Sequence, residues 1–274
     1  MNNIYMPTET IKWKETIFKG LKWEYAMLGS GEDTLIIFPG GLRRPVYGGA
    51  FLKELNTQFK ILIPVYPRIS NLNHLAEGVA WIMDQEAIGS VHLFGSSFGG
   101  LMTQAFIVYY PDRVKKAVIS NTGTKTSETK FSKRISRALF LIRLVPAFIV
   151  RKIMIRSFTK LVPSKIENYE EVVTLIRDII KSKQLDKKDI ICHFESLLDF
   201  QNNLPLTIGA ASSFQHKLLI ITAANDKGVS PEATSSLKNL YPEAKFHHFM
   251  EGGHMPLLAK PNEYVQLVKA FFQS

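Results

Sequence analysis

Short apolar runs recur along the first half of the chain, each closed by turn residues and followed by a stretch with helical spacing. KETIFK (14–19) and KWEYAML (22–28) predict an opening hairpin. TLIIFP (34–39) runs into Gly40-Gly41, as a buried strand entering a tight turn would. KILIPVY (60–66), SVHLFG (90–95) and VKKAVIS (114–120) predict three more buried strands. Between them, residues 71–87 place Leu72, Leu75, Val79, Ile82 and Met83 on one helical face, and 98–110 is also helical in pattern. From 124 to 210 only helical spacing is found. The strand rhythm returns at KLLIITA (217–223) and AKFHHF (244–249), and 261–273 predicts a closing helix.

Strands alternating with helices imply an α/β fold, a mostly parallel central sheet covered by helices on both faces. The interruption reads as a helical cap insertion at 124–210, with the core domain formed by 1–123 and 211–274. The cap is expected over the carboxyl edge of the sheet, where open α/β sheets place their ligand sites.

The 274 residues suit one large domain with its own core. A single cysteine, Cys192, rules out an intramolecular disulfide and reads as a small apolar residue in a reducing compartment. The N-terminus lacks the basic start and apolar centre of a signal peptide, and no run approaches the ~20 apolar residues of a membrane-spanning helix, so the cytoplasm is the expected location. Net charge is +10, but residues 129–163 hold nine Lys and Arg and no acid, which leaves the rest of the chain near neutral. One basic segment is unlike the broad footprint of a nucleic-acid binder. It fits cap helices with cations facing solvent, contact with an anionic membrane surface, or a grip on an anionic substrate tail.

The strongest local signal is Gly95-Ser96-Ser97-Phe98-Gly99-Gly100, a G-x-S-x-G pattern between an apolar strand and a helix. Such a turn holds Ser97 exposed and strained, with the helix N-terminus aimed at it, and Ser96 falls at the intervening position. A serine nucleophile needs a base, and the base needs an orienting acid, in the chain order Ser, Asp, His for this fold. Asp226 follows the strand 217–223, and His254 sits on the Gly252-Gly253 loop before the closing helix. The other histidines fit the base less well: His92, His247 and His248 lie in strands, His74 and His216 adjoin element starts, and His193 lies in the insertion. The oxyanion donors expected are the N–H groups of Phe98 and Gly41, with Leu42 as the alternative to Gly41. Leu42, Phe98, Met255 and the cap aromatics Phe140 and Phe148 are the expected lining of an apolar substrate pocket.

On FPGG (38–41), GSSFGG (95–100), Asp226 in AANDKGVSP and His254 in EGGHMPLL, the chain resembles the α/β-hydrolase fold family over nearly its whole length. Members commonly carry His-Gly where Pro39-Gly40 stands, a change that leaves the backbone donors in place. A narrower resemblance, on 91–106, 144–158 and 240–258, is to the maspardin-like branch. That branch implies an interaction protein whose base position is not histidine, whereas this chain has His254.

Together these features predict a serine hydrolase acting on a small acyl or aromatic ester or thioester through an acyl-enzyme, with no metal or organic cofactor. GSSFGG lacks the Lys-Ser/Thr ending of a phosphate loop, and no Cys/His cluster has zinc-like spacing. Acyl transfer, carbon–carbon bond hydrolysis and a non-catalytic or slow-turnover binding role are the alternatives.

Overall fold

In the computed structural model, which describes residues 12–44, 49–126, 129–182, 185–207 and 213–274, an eight-stranded sheet forms the centre of the molecule. Strands β1 (Lys12–Phe18) and β2 (Leu21–Leu28) make the expected antiparallel hairpin. Lys19 and Gly20 close it at positive φ, matching the twist of the strands they join. The remaining strands are β3 (Asp33–Phe38), β4 (Phe59–Val65), β5 (Val91–Ser96), β6 (Val114–Ser120), β7 (Leu218–Ala223) and β8 (Lys245–Phe249). The spatial order is β1-β2-β4-β3-β5-β6-β7-β8. β2 joins β4 antiparallel, and from β4 to β8 the neighbours run parallel.

The period-two alternation of the strands divides the core into two layers. Leu35, Ile37, Phe94, Val118 and Ile221 pack with α1 (Gly49–Leu55) and the closing helix at Pro261–Gln273. Ile36, Phe38, Leu93, Ile119 and Ile220 face the opposite way, toward α2 (Leu72–Gln85) and α3 (Phe98–Tyr109). Both faces are apolar because both are covered, which explains the near-continuous apolar runs. Each buried Ile or Leu contributes about 1.5–3 kcal/mol, so the layers dominate the fold's stability.

Helices α4 (Thr129–Leu144), α5 (Ala147–Thr159), α6 (Tyr169–Lys181) and α7 (Lys187–Asn203) occupy the sequence between β6 and β7. Pro146, which cannot donate to a preceding turn, separates α4 from α5. Val150, Met154, Val172, Val173, Ile176 and Ile180 form a separate apolar cluster that reaches Leu42 in the core loop. α7 begins at a capping box made by Asp186 and Asp189, and both carboxylates also pair with Arg68. Farther along α7, Asp199 accepts the Leu72 N–H at 2.7 Å and so ties α7 to the start of α2. The expected boundary at 210–211 lies outside the described residues. Among those described, no helix is long and apolar enough to cross a membrane.

α8 (Pro231–Leu240), the short α9 (Pro256–Ala259) and α10 (Pro261–Gln273) complete the chain. The loops after β3, β5, β6, β7 and β8 all emerge at the carboxyl edge of the parallel strands, so residues far apart in sequence converge there.

Candidate active site

The sharp turn from β5 to α3 places Ser97 at φ 56 and ψ −122, a conformation that L residues seldom adopt. It is held there by close packing. A side chain on Gly95 would collide with the Gly99 carbonyl and the Thr103 hydroxyl, and one on Gly99 would collide with the Phe38 carbonyl. The Ser97 N–H donates to the Ser120 carbonyl at 2.9 Å, which anchors the turn to β6. Strain of this kind costs about 1–3 kcal/mol and persists because the surroundings impose it.

Two loops bring partners to that hydroxyl. After β8, Gly252 and Gly253 adopt positive φ and turn His254 back over the edge of the sheet. His254 Nε2 lies 2.9 Å from Ser97 Oγ, and His254 Nδ1 lies 2.7 Å from Asp226 Oδ1. After β7, Asn225 at φ 60 turns the chain, and Asp226 Oδ1 accepts the N–H groups of Gly228 and Val229 at 2.7 and 3.1 Å. Burial alone would push the Asp226 carboxyl up. Hydrogen bonds from His254, Asn121 and the Gly228 N–H outweigh it and hold the group below the usual carboxylate range. An ionised Asp226 requires the proton on Nδ1, which leaves Nε2 to accept the Ser97 hydroxyl.

Four residues given no role at the site from the sequence shape this arrangement. Asn121 donates one amide hydrogen to Asp226 Oδ2 at 2.9 Å and the other to the Gly253 carbonyl at 3.0 Å, linking the acid to the His254 loop. Its only sequence signal is its place immediately after β6. Gly228 lies against the His254 ring with no room for a side chain. Arg43, at φ 60, is almost fully buried and donates to the carbonyls of Pro67 and Ile69 at 2.8 and 2.9 Å and to Ser196 Oγ at 3.2 Å. It thereby ties the loop after β3 to the loop after β4 and to α7. Burial pulls its guanidinium below its ordinary value. His193, on α7, packs edge-on against Phe98 with ring centroids 4.8 Å apart and borders Gly41. Its ring faces a cavity but lies deep in the protein. Burial, aided by Arg43, pushes its pKa down to about 3, so it is neutral at neutral pH.

Ser97 and His254 open into a cavity of about 660 Å³. Gly41, Leu42, Phe98 and Met255 line it, and α3 starts beside the same space, with the N–H groups of Phe98 and Gly99 lying ahead of the first helical bond, Gly100 N–H to the Ser97 carbonyl at 2.9 Å. Phe140 and Phe148 do not line it, contrary to expectation. They are 62% and 71% exposed, because Ile135 and Leu139, not Phe140, lie on the buried side of α4. The aromatic walls are instead Phe131, Phe158 and Phe200. Among the described residues, no group of three or more His, Cys, Asp or Glu side chains is arranged to hold a metal ion.

Comparison with known proteins follows the same lines. A family model for the alpha/beta hydrolase fold matches residues 60–146. Maspardin from Danio rerio is 27% identical over 222 residues, a match covering 76% of this chain and 65% of that protein's length. A 2-hydroxy-6-oxononadienedioate/2-hydroxy-6-oxononatrienedioate hydrolase from Burkholderia vietnamiensis is 27% identical over 139 residues, 44% of this chain and 48% of its own. Among solved structures, a thermophilic esterase from Thermogutta terrifontis superposes with a TM-score of 0.73 at 18% identity, covering 96% of this chain and 98% of the esterase.

Proposed function

We propose that this chain, which has the α/β-hydrolase fold and resembles that family in sequence, is a serine hydrolase acting on a small carboxylic ester or thioester. The observation that carries this reading is the continuous hydrogen-bonded series Ser97–His254–Asp226 beneath a largely apolar cavity. In the proposed mechanism His254 takes the Ser97 proton as Oγ attacks the substrate carbonyl. The N–H groups of Phe98 and Gly41 hold the oxyanion, and Asp226 fixes the imidazole tautomer and stabilises the imidazolium. His254 then protonates the leaving group, and water activated by the same ring releases the acid from Ser97. Leu42, Met255, Phe131 and Phe158 favour an apolar acyl or aromatic group. Helices α4–α7 act as the cap.

A fluorophosphonate probe tests the proposal. Intact mass should show one adduct on the wild-type chain and none on Ser97→Ala or His254→Ala variants of unchanged melting temperature. Absence of labelling on folded wild type would sink the hydrolase reading. It would favour instead the binding role that the maspardin-like resemblance implies. The Burkholderia relative favours carbon–carbon hydrolysis as a second chemistry for the same triad. A labelled enzyme that cleaves a vinylogous 1,5-diketone but no ester would establish that alternative.

A further inference from the structure

The corner between α4 and α5 carries the largest group of exposed apolar side chains on the cap helices. Phe140, Leu141 and Leu144 lie on the last turns of α4, and Phe148 opens α5. Leu141 and Leu144 are 58% and 67% exposed, comparable with the two phenylalanines. The corner is held in place: Lys187, at the start of α7, donates to the carbonyls of Arg143 and Val145 at 2.8 Å each, and Arg143 pairs with Glu195.

Beside it is a cleft of about 390 Å³ lined by Phe148, Arg151, Lys152, Ile155, Arg156 and Lys181. The first five fall at i, i+3, i+4, i+7 and i+8, so they share one face of α5, while Val150 and Met154 bury the other in the cap cluster. The cleft therefore holds four cations and no acid. Glu170, Glu171 and Asp178 of α6 are not among its walls. Among the described residues its four cations enter no ion pair, and the buried Nε of Arg151 has no hydrogen-bond partner.

We propose that this corner docks on an anionic phospholipid bilayer, with the α5 cleft receiving a headgroup phosphate and Phe140, Leu144 and Phe148 entering the acyl boundary. The two halves of the surface select this partner together. An acidic protein or a nucleic acid would neutralise the cations but leave four large apolar side chains in water. A neutral apolar partner would strand the cations. A bilayer interface satisfies both within a few ångströms of depth. The inference does not depend on the hydrolase reading, because it uses no residue of the proposed catalytic site.

Vesicle sedimentation of the full chain tests it, using Ser97→Ala in parallel so that turnover plays no part. The chain should sediment with phosphatidylcholine vesicles containing phosphatidylserine, remain in solution with phosphatidylcholine alone, and be released by high salt. Removing two cations in R151Q/R156Q should lower the partition coefficient roughly 30-fold, about fivefold per charge. F140S/F148S should also detach the chain, and both double variants should keep the wild-type melting temperature, since these side chains are exposed or at the cleft rim. Equal binding to both vesicle types, or unchanged binding of R151Q/R156Q, would overturn the proposal. So would binding of glycerophosphoserine or polyglutamate by a chain that ignores vesicles.

Discussion

Replacing Gly228 by alanine isolates the placement of the proposed base, His254, from its chemistry. Gly228 does not occupy the left-handed region, so alanine fits its backbone, and the position is solvent-exposed. The new methyl carbon, however, would stand 2.8 Å from His254 Cγ and nearer still to Nδ1 and Cε1, where ordinary contact begins at 3.4 Å. The shortfall at Cγ alone is 0.6 Å, the difference of those two distances, and it is larger along the Nδ1–Cε1 edge. The loop cannot simply retreat, because the N–H groups of 228 and 229 are both bonded to the carboxylate that holds His254. Either the ring moves off its 2.9 Å contact with Ser97 or the acid moves off the ring. A displacement of roughly 1 Å at a reacting group costs about 10²-fold in rate. The expected result is a fluorophosphonate labelling rate about 100-fold below wild type, with full final stoichiometry and a stability change within ~1 kcal/mol. Gly89→Ala, at a position with open space, should label like wild type. A Gly228→Ala chain that labels at the wild-type rate would refute the claim that this contact fixes the base.

Two further outcomes follow from the neighbours of the site. Asn121→Ala removes a donor that helps keep Asp226 ionised; because the folded carboxyl lies below its unfolded value, its stabilisation holds at higher pH and is lost as pH falls through the folded value. The variant should therefore acid-unfold at higher pH than wild type, read by circular dichroism, and should also lose about 10–100-fold in labelling rate with the gap narrowing little at alkaline pH. Arg43→Lys keeps the charge but cannot reach Pro67, Ile69 and Ser196 at once; it should cost about 2–3 kcal/mol in denaturant unfolding and slow labelling through the freed Gly41-Leu42 loop.

The sheet was legible because burial on both faces leaves a clear mark: β3, β5 and β7 are near-continuous apolar runs, and β6 becomes one after Lys115 and Lys116, each bounded by turn residues. The turn at Ser97 was legible for a related reason, since Gly95 and Gly99 are required by close approach to the Gly99 and Phe38 carbonyls and the Thr103 hydroxyl. What escaped were residues whose role depends on convergence. Asn121, Arg43 and His193 come from three separate elements and meet only because the loops share one edge. Nothing in their own neighbourhoods marks an asparagine after a strand, or the first of two arginines in a loop, as buried. Phe140 and Phe148 failed for a different reason. Composition singled out Phe140 and Phe148 in an apolar segment, but the side an aromatic faces depends on helical phase, and one residue's rotation of 100° separates buried Leu139 from exposed Phe140. The seven-residue α1 was too short to show a period at all.

The rival binding role can be weighed on energetic grounds. A platform that only holds a ligand gains nothing from a serine kept at φ 56, and relaxing that turn would return about 1–3 kcal/mol. It likewise gains nothing from a largely buried aspartate that needs donors from His254, Asn121 and two backbone amides to stay ionised. These features are individually unfavourable and become useful together only if a proton must leave Ser97 Oγ and a positive charge must form on His254. The α7 side of the cavity supports the same reading. His193 packs as a neutral ring against Phe98 and beside Gly41, so it braces the two residues proposed to supply the oxyanion donors. In the proposed mechanism a carbonyl oxygen entering there would meet the Phe98 and Gly41 N–H dipoles, whose stabilisation grows as its negative charge grows; that accelerates acyl transfer, and a simple binding site does not need it.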